Sequence, residues 1–223
     1  MKTLIIAPHA DDEILGCGGL ILKRLSENNK VGWLLMTTPK ITSEFDQKKF
    51  KERKQAIDIV RNEIGIKESD FYQLNFLPAA LDEYPTEKLI KSVKYVLDRF
   101  TPNEILVPHY GDIHSDHRIT FNVVMSAAKS FRSQFVKRIM SYETISETDF
   151  NIEKYNMFIP NYFENISEFF HEKNKILNFY KNEIKEHPFP RSQENLKALA
   201  IRRGSQSGFK FAEAFMLLKQ ISD

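Results

Sequence analysis

Short apolar runs alternate with longer helical patterns over the first two-thirds of the chain. The first run, Leu4–Ala7, is continuous, which is typical of a strand buried on both faces of a parallel sheet. Strands that alternate with helices predict a mainly parallel, doubly wound α/β sheet. The predicted strands are Leu4–Ala7, Val31–Met36, Phe71–Leu74, Glu104–Val107 and Lys137–Tyr142, and the predicted helices are Ile14–Leu25, a helix capped by Ser43 and ending at Ile64, Glu87–Phe100 and His117–Ala128.

The last third of the chain departs from this alternation. The pattern predicts a lysine-rich helix over Ile166–Ile184, with its basic face in solvent, and a second helix over Ser192–Ile201. Phe211–Leu217 fits either a strand or a helix that closes the fold. No repeat or flexible linker interrupts the sequence, so it predicts one domain of residues 1–223. Residues 1–145 would form its core, and residues 146–223 a helical C-terminal cap region of the same domain.

The composition excludes several classes of protein. Of the 223 residues, 42% are apolar and 28% are charged, as in an ordinary soluble globular protein. The formal net charge of +2 does not indicate a nucleic-acid partner, and the apolar run before His9 is too short for a signal peptide or a membrane span. The single cysteine, Cys17, rules out an internal disulfide. These features predict a cytoplasmic protein.

A histidine and three acidic residues directly follow the first predicted strand. In an open α/β sheet, ligands bind beyond the carboxyl ends of the strands. His9 and Asp12 are three residues apart, so a turn that enters a helix can aim both at one point, and together they suit zinc or a similar divalent metal. Asp11 lies between them and is the candidate base. A helix N-terminus also favours acidic residues, which accounts for Asp11, Asp12 and Glu13 without a metal but not for the histidine.

The segment Gly16-Cys17-Gly18-Gly19 lies inside the first predicted helix. Each glycine weakens a helix by roughly 1 kcal/mol relative to alanine, so close packing of the helix on the sheet is the expected reason for them. Their spacing is not that of a dinucleotide-binding fingerprint. A free cysteine among glycines is expected to be a small packed residue and not a metal ligand.

A second cluster follows the fourth predicted strand, at the same edge of the sheet. One histidine from it would complete a set of three protein ligands and leave a fourth position for water, as in catalytic zinc sites. The remaining side chains would then orient an imidazole or donate to an oxyanion. The cluster contains His109, Asp112, His114, Asp116 and His117.

Together the two clusters resemble those of the PIG-L/LmbE zinc deacetylases. The resemblance rests on Pro8-His9-Ala10-Asp11-Asp12-Glu13, on the glycines that follow and on His114-Ser115-Asp116-His117, and it covers roughly residues 3–125. Ala10 stands where the family more usually has proline. The resemblance implies a Rossmann-like three-layer fold and hydrolysis of the N-acetyl group of an amino sugar or amino-sugar conjugate, with release of acetate.

The resemblance also implies a role for each matched side chain. Asp11 would be the general base, His114 would stabilise the oxyanion, and Asp116 would support the histidines. One divalent ion per chain, Zn²⁺ or alternatively Fe²⁺ or another metal, would be held by His9, Asp12 and His117.

Arg53 stands where the family often places an arginine that contacts the substrate. The implied partner is a small N-acetylated amino sugar, with or without a phosphate or nucleotide, and homo-oligomerisation stays open.

Two alternatives to a deacetylase remain. A metal-dependent phosphoesterase could use the same ligands, since a fold does not determine function. A non-enzymatic metal- or nucleotide-binding module leaves Asp11 and His114 unexplained.

Overall fold

The computed structural model describes residues 1–39 and 44–222, and its elements follow the predicted alternation. Its strands are β1 (Lys2–Ala7), β2 (Lys30–Thr37), β3 (Phe71–Phe76), β4 (Glu104–Pro108), β5 (Arg138–Tyr142), β6 (Tyr162–Asn165) and β7 (Ala212–Gln220). The α-helices of the described residues are α1 (Asp12–Ser26), α2 (Glu44–Ile64), α3 (Thr86–Phe100), α4 (Ser115–Ala127), α5 (Phe170–Leu177) and α6 (Gln193–Ser207). Ser43, the predicted cap of α2, lies outside the described residues.

The strands form one seven-stranded sheet in the order β3-β2-β1-β4-β5-β7-β6. Pairs from β3 to β5 are parallel, and β7 runs antiparallel to both β5 and β6. The predicted mainly parallel α/β sheet is therefore confirmed. Because β1 and β4 are parallel neighbours, the loops that follow them meet at the same edge of the sheet.

Helices cover both faces of the sheet, which explains the continuous apolar run of β1. Ile5 and Ala7 pack in the cluster that contains α1, α2 and α5. Leu4 and Ile6 pack in the opposite cluster, which contains α3 and α4. Full burial of an aliphatic side chain stabilises a fold by about 1.5–3 kcal/mol. Because successive side chains of β1 point to opposite faces and both faces are buried, the strand has apolar residues at successive positions and not at alternate ones.

The prediction that residues 146–223 form a helical cap region is not confirmed, because β6 and β7 from this region join the sheet. The helix predicted over Ile166–Ile184 is limited to α5. After α5, Phe179 and Tyr180 donate their backbone N–H groups to carbonyls three residues earlier, which tightens the chain into turns. This turn allows the Tyr180 hydroxyl to reach the buried carboxylate of Glu13 at 2.7 Å.

Lys173 does not lie on a solvated basic face, as the sequence pattern predicted, but is buried. Its Nζ lies 2.7 Å from Oε1 of Glu213 and donates to the carbonyl of Leu15 at 2.9 Å. The same Glu213 carboxylate accepts the backbone N–H groups of Gly19 and Leu20. The lysine is therefore buried because it neutralises a carboxylate that joins β7 to α1.

The predicted close packing at the glycines of α1 is confirmed. A Cβ atom added to Gly16 would lie 2.3 Å from the ring of Tyr142, and one added to Gly19 would lie 2.5 Å from Ile166. Cys17 is a free, fully buried residue between them.

Among the described residues, every helix is too short or too polar to span a lipid bilayer.

Candidate functional site

The two predicted clusters meet beyond the carboxyl ends of β1 and β4. The ring centroid of His9 lies 4.6 Å from that of His114 and 5.5 Å from that of His117. One nitrogen from each of His9 and His117 and one carboxylate oxygen of Asp12 lie within 4.8 Å of one another. This group of side chains could hold a metal ion.

One oxygen of Asp12 faces both imidazoles of the group. Oδ2 of Asp12 lies 3.4 Å from Nδ1 of His9 and 3.2 Å from Nε2 of His117. Burial opposes ionisation of Asp12, but the charge and hydrogen bonds of His117 and His9 hold its pKa well below the usual range. Two imidazoles and an ionised carboxylate form a donor set that suits Zn²⁺.

The electrostatics of the group favour a positive charge at its centre. Burial lowers the pKa of His9, but hydrogen bonds to Asp116 and Asp12 outweigh it and raise the pKa to about 9. Burial likewise opposes the charge on His117, but Asp12 and Asp112 raise its pKa to about 10. Protons held in this way are the ones that a metal cation displaces when it binds.

Asp116, which the sequence analysis expected to support the histidines, contacts His9. Its Oδ2 lies 3.0 Å from Nε2 of His9, and its carboxylate accepts backbone N–H groups from Ala79 at 2.6 Å and Leu81 at 3.2 Å. His9, Asp116 and His114 form a second group with ligand atoms within 4.8 Å. Because this group shares His9 with the first, the two do not form independent metal sites.

His117 has a different support, Asp112, which the sequence analysis placed in the second cluster without a role of its own. Its Nδ1 lies 2.8 Å from Oδ2 of Asp112, and Oδ1 of Asp112 accepts a hydrogen bond of 2.6 Å from the hydroxyl of Thr148. A carboxylate behind a ligating imidazole fixes its orientation and makes it a stronger ligand. The sequence signal for this contact was the position of Asp112, five residues before His117.

Asp11 is the N-cap residue of α1, yet its side chain makes no capping hydrogen bond. Its backbone has φ 135° and ψ −29°, a conformation that L-residues rarely adopt and that costs about 1–3 kcal/mol. Its Oδ2 instead accepts a hydrogen bond of 2.6 Å from Nη1 of Arg191. The alternative in which Asp11 only favours the helix N-terminus does not account for this geometry.

The environment of Asp11 sets its pKa near neutrality. Burial and the charge of Asp12 raise this pKa to about 7, while Arg191 opposes the rise. The residue is only 2% exposed. A general base works best when its pKa lies near the operating pH, so this carboxylate suits proton transfer.

His114 is the N-cap of α4, and its Nδ1 accepts a hydrogen bond of 3.1 Å from the backbone N–H of Asp116. Burial and the neighbouring His9 and His117 lower its pKa to about 4. A neutral imidazole whose Nδ1 accepts a hydrogen bond carries its proton on Nε2. His114 is thereby a neutral hydrogen-bond donor close to the candidate metal group.

Arg53, on α2, lies beside this group, and its side chain is 32% exposed. Its Nη2 donates to the carbonyl oxygen of Ala10 at 3.2 Å, and its Nη1 lies 3.3 Å from Oε1 of Glu183. The fold thus brings Arg53 to the peptide immediately before Asp11. All seven residues to which the resemblance assigned a role lie at this one edge of the sheet: His9, Asp11, Asp12, Arg53, His114, Asp116 and His117.

Sequence reasoning missed Arg191, which lies 180 residues from Asp11 along the chain, between α5 and α6. No local pattern marks it, and only the folded chain brings it to Asp11. Two other arginines of the same region, Arg202 and Arg203, lie on α6. Arg203 forms an ion pair with Glu143, with an N–O distance of 2.6 Å, while Arg202 is exposed.

Comparison with known proteins identifies a family for this chain. The family model for GlcNAc-PI de-N-acetylase, PIG-L, matches residues 4–128, which is more than half of the chain. A diacetylchitobiose deacetylase from Thermococcus kodakarensis is 24% identical over 236 residues, which cover 99% of this chain and 84% of the relative.

Solved structures share the fold at lower identity. The N,N'-diacetylchitobiose deacetylase from Pyrococcus horikoshii, in complex with an inhibitor, has a TM-score of 0.78 at 20% identity, over 98% of this chain and 84% of that one. A 4-carboxy-2-hydroxymuconate hydratase from Pseudomonas putida has a TM-score of 0.77 at 13% identity, over 100% and 99% of the two chains. Because this fold also serves a hydratase, the reaction class is read from the family match and the site. By that match, the chain belongs to the PIG-L family of de-N-acetylases, hydrolases that act on N-acetyl amides.

Proposed function

We propose that this chain removes the N-acetyl group of a small, uncharged amino sugar or amino-sugar conjugate and releases acetate, with one Zn²⁺ at His9, Asp12 and His117. The observation that carries the proposal is the convergence of these three ligand atoms within 4.8 Å beside the buried carboxylate of Asp11. Fe²⁺, the alternative metal, accepts the same types of ligand.

The donor set and its electrostatics support a bound cation. When bound, a divalent metal supplies a Lewis acid that polarises the amide carbonyl and acidifies water. His9 and His117 are each backed by a carboxylate, from Asp116 and Asp112 respectively. This arrangement holds each imidazole in one orientation, so that its other nitrogen is directed toward Asp12.

The chain's own side chains would carry out the proton transfers and stabilise the developing charge. Asp11 takes the proton of the attacking water, a role that typically contributes about 10²–10⁴-fold to the rate. A proton then goes to the nitrogen of the departing amine as its bond to the acetyl carbon breaks. Nε2 of His114 donates a hydrogen bond to the oxyanion of the tetrahedral intermediate. Asp116 keeps that donor in place, because its backbone N–H occupies Nδ1 of His114.

The charges around the site support an uncharged sugar over one that bears a phosphate or a nucleotide. Arg53 and Arg191 both pair with Glu183, and Arg191 pairs also with Glu147 and Asp11. Both guanidinium groups are therefore neutralised within the protein. Arg53, which is the more exposed, remains suited to donate a hydrogen bond to a sugar hydroxyl. The relatives named for diacetylchitobiose also support a neutral substrate.

We also propose that the chain is a single domain with a Rossmann-like fold. The order β3-β2-β1-β4-β5 supports a Rossmann-like fold, and the site lies beyond β1 and β4, where the strand order reverses. One sheet includes strands from Lys2 to Gln220, which supports a single domain.

Acetate release tests the proposal directly. The purified protein, loaded with one equivalent of Zn²⁺, is incubated with N-acetylglucosamine, N,N'-diacetylchitobiose and N-acetylglucosamine 1-phosphate. We expect acetate and free amine in equal amounts from an uncharged sugar, no inorganic phosphate, and loss of activity on chelation. His171→Ala, which changes an exposed histidine of α5 away from the site, should behave as wild type. Phosphate release without acetate would favour the phosphoesterase, and metal binding without turnover of any sugar would favour the binding module.

A further inference from the structure

We infer that Arg191 is a positioning residue for deacetylation: it holds Oδ2 of Asp11 and so fixes the direction in which Oδ1 is presented to take the proton. The inference rests on the proposed role of Asp11 as the base. It adds a residue from the last third of the chain, outside both sequence clusters, to the machinery of the site.

The guanidinium group of Arg191 connects three separate segments of the chain. Nη1 lies 2.6 Å from Oδ2 of Asp11, after β1, and 3.5 Å from Oε2 of Glu183, after α5. After β5, Nε donates to the hydroxyl of Ser146 at 2.7 Å, and Nη2 lies 3.4 Å from Oε1 of Glu147. Every nitrogen of the group therefore has an acceptor within the protein. This is the arrangement of a structural clamp and not of a side chain that waits for a substrate.

The contact with Asp11 determines which carboxylate oxygen can act. The terminal torsion of an aspartate is broad, so an unpaired carboxylate samples many orientations. A charge-assisted hydrogen bond from Arg191 to Oδ2 restricts that rotation. Among the described residues, none donates a hydrogen bond to Oδ1 of Asp11. The clamp therefore favours Oδ1 as the proton acceptor and holds it in one direction.

The same clamp reaches the support of the metal group. Ser146 and Glu147, which Arg191 holds, directly precede Thr148. Thr148 donates to Asp112, whose other oxygen faces His117. A backbone hydrogen bond from Ile113 to the carbonyl of Glu147 ties this loop to the segment that carries Asp112. Arg191 thus sets the base relative to the loop that orients a proposed ligand.

The test compares Arg191→Met and Arg191→Lys with a matched control, Arg203→Met. Arg203 is a similarly buried arginine of the same region, whose partner, Glu143, lies outside the site. Because misplacing a catalytic group by about 1 Å can cost 10²-fold, we expect Arg191→Met to lower kcat by about 10²-fold with KM nearly unchanged. Arg191→Lys should keep part of the lost kcat. Metal content should stay at one equivalent in all three variants, and Arg203→Met should keep the wild-type kcat.

A double-mutant cycle with Asp11→Asn shows whether Arg191 acts through Asp11. If it does, Arg191→Met should cost little further activity once Asp11 is asparagine, whereas independent effects would multiply. Added guanidinium ion should restore part of kcat in Arg191→Met but not in Asp11→Asn. If Arg191→Met does not fold, the lysine variant alone goes through the same cycle.

Three results would overturn the inference. An increase in KM alone would make Arg191 a substrate-binding residue, and multiplicative effects in the cycle would separate it from Asp11. An unchanged kcat in Arg191→Met with one metal equivalent would remove its role altogether. In contrast, full activity of Asp11→Asn would contradict the proposed role of Asp11 as the base. Failure of that proposal can therefore be distinguished from failure of the inference about Arg191.

Discussion

Replacement of Asp11 by asparagine is expected to lower kcat by about 10²–10⁴-fold while one metal equivalent stays bound. Asparagine keeps the shape of aspartate and can still accept the hydrogen bond from Arg191, but it cannot take up a proton at neutral pH. Its melting temperature should therefore change little. Metal content, melting temperature and kcat are measured on the same preparation, so that a chemical defect is separated from a structural one.

The neighbouring Asp12→Asn is the matched comparison, because it makes the same chemical change one residue away. Oδ2 of Asp12 faces both imidazoles, so this variant should lose metal affinity, and excess zinc should restore part of its activity. If both aspartates served only the N-terminus of α1, each variant would instead lose about 0.3–1 kcal/mol of stability with no selective loss of turnover. Equal effects at the two positions would contradict the assigned roles.

Both clusters of the site could be predicted from the sequence because each one is local. His9, Asp11 and Asp12 follow β1, and His114, Asp116 and His117 follow β4. Parallel strands present their carboxyl ends at one edge, so recognition of the two strands was enough to bring the clusters together. The apolar run predicted strand β1, and the histidine and acidic residues after it predicted a metal site.

The contacts that orient these residues could not be predicted, because they join distant parts of the chain. Arg191 reaches Asp11 across 180 residues, and Thr148 reaches Asp112 across 36. Neither contact follows a helical or strand period, so the sequence offers no pattern for it. The two contacts arise only because the region after β5 folds back over the carboxyl edge of the sheet.

The error in the last third of the chain has a similar origin. Residues 166–184 carry the spacing of an amphipathic helix, but only Phe170–Leu177 adopts one. Lys173 turns inward to Glu213, and Tyr180 turns inward to Glu13. Both polar contacts are buried and lie between elements remote in sequence. Tertiary interactions of this kind override local propensity, which is a weak determinant by itself.

Replacement of His117 by alanine is expected to remove the bound metal and with it nearly all deacetylase activity. The variant leaves only His9 and Asp12 of the proposed ligand set, whereas catalytic zinc sites generally use three protein ligands. It also leaves Asp112 buried without its imidazole partner, so some loss of stability is expected. Metal content after dialysis, measured by elemental analysis, and acetate release are the two readouts.

Two further variants extend this test. Asp112→Asn should weaken metal binding without abolishing it, and His171→Ala is the control for an unrelated histidine. Asp112 is the carboxylate behind His117, and loss of such a support typically weakens metal binding by about 10–100-fold, so Asp112→Asn should bind zinc weakly and recover activity at high zinc concentration. His171, an exposed histidine outside both candidate groups, should keep its metal when replaced. Because protons compete with the metal for the imidazoles, all titrations are performed at one pH. If His117→Ala retained one tightly bound equivalent, His117 would not be a ligand. Weak binding by Asp112→Asn together with wild-type binding by His171→Ala would attribute the affinity to the imidazole that Asp112 orients.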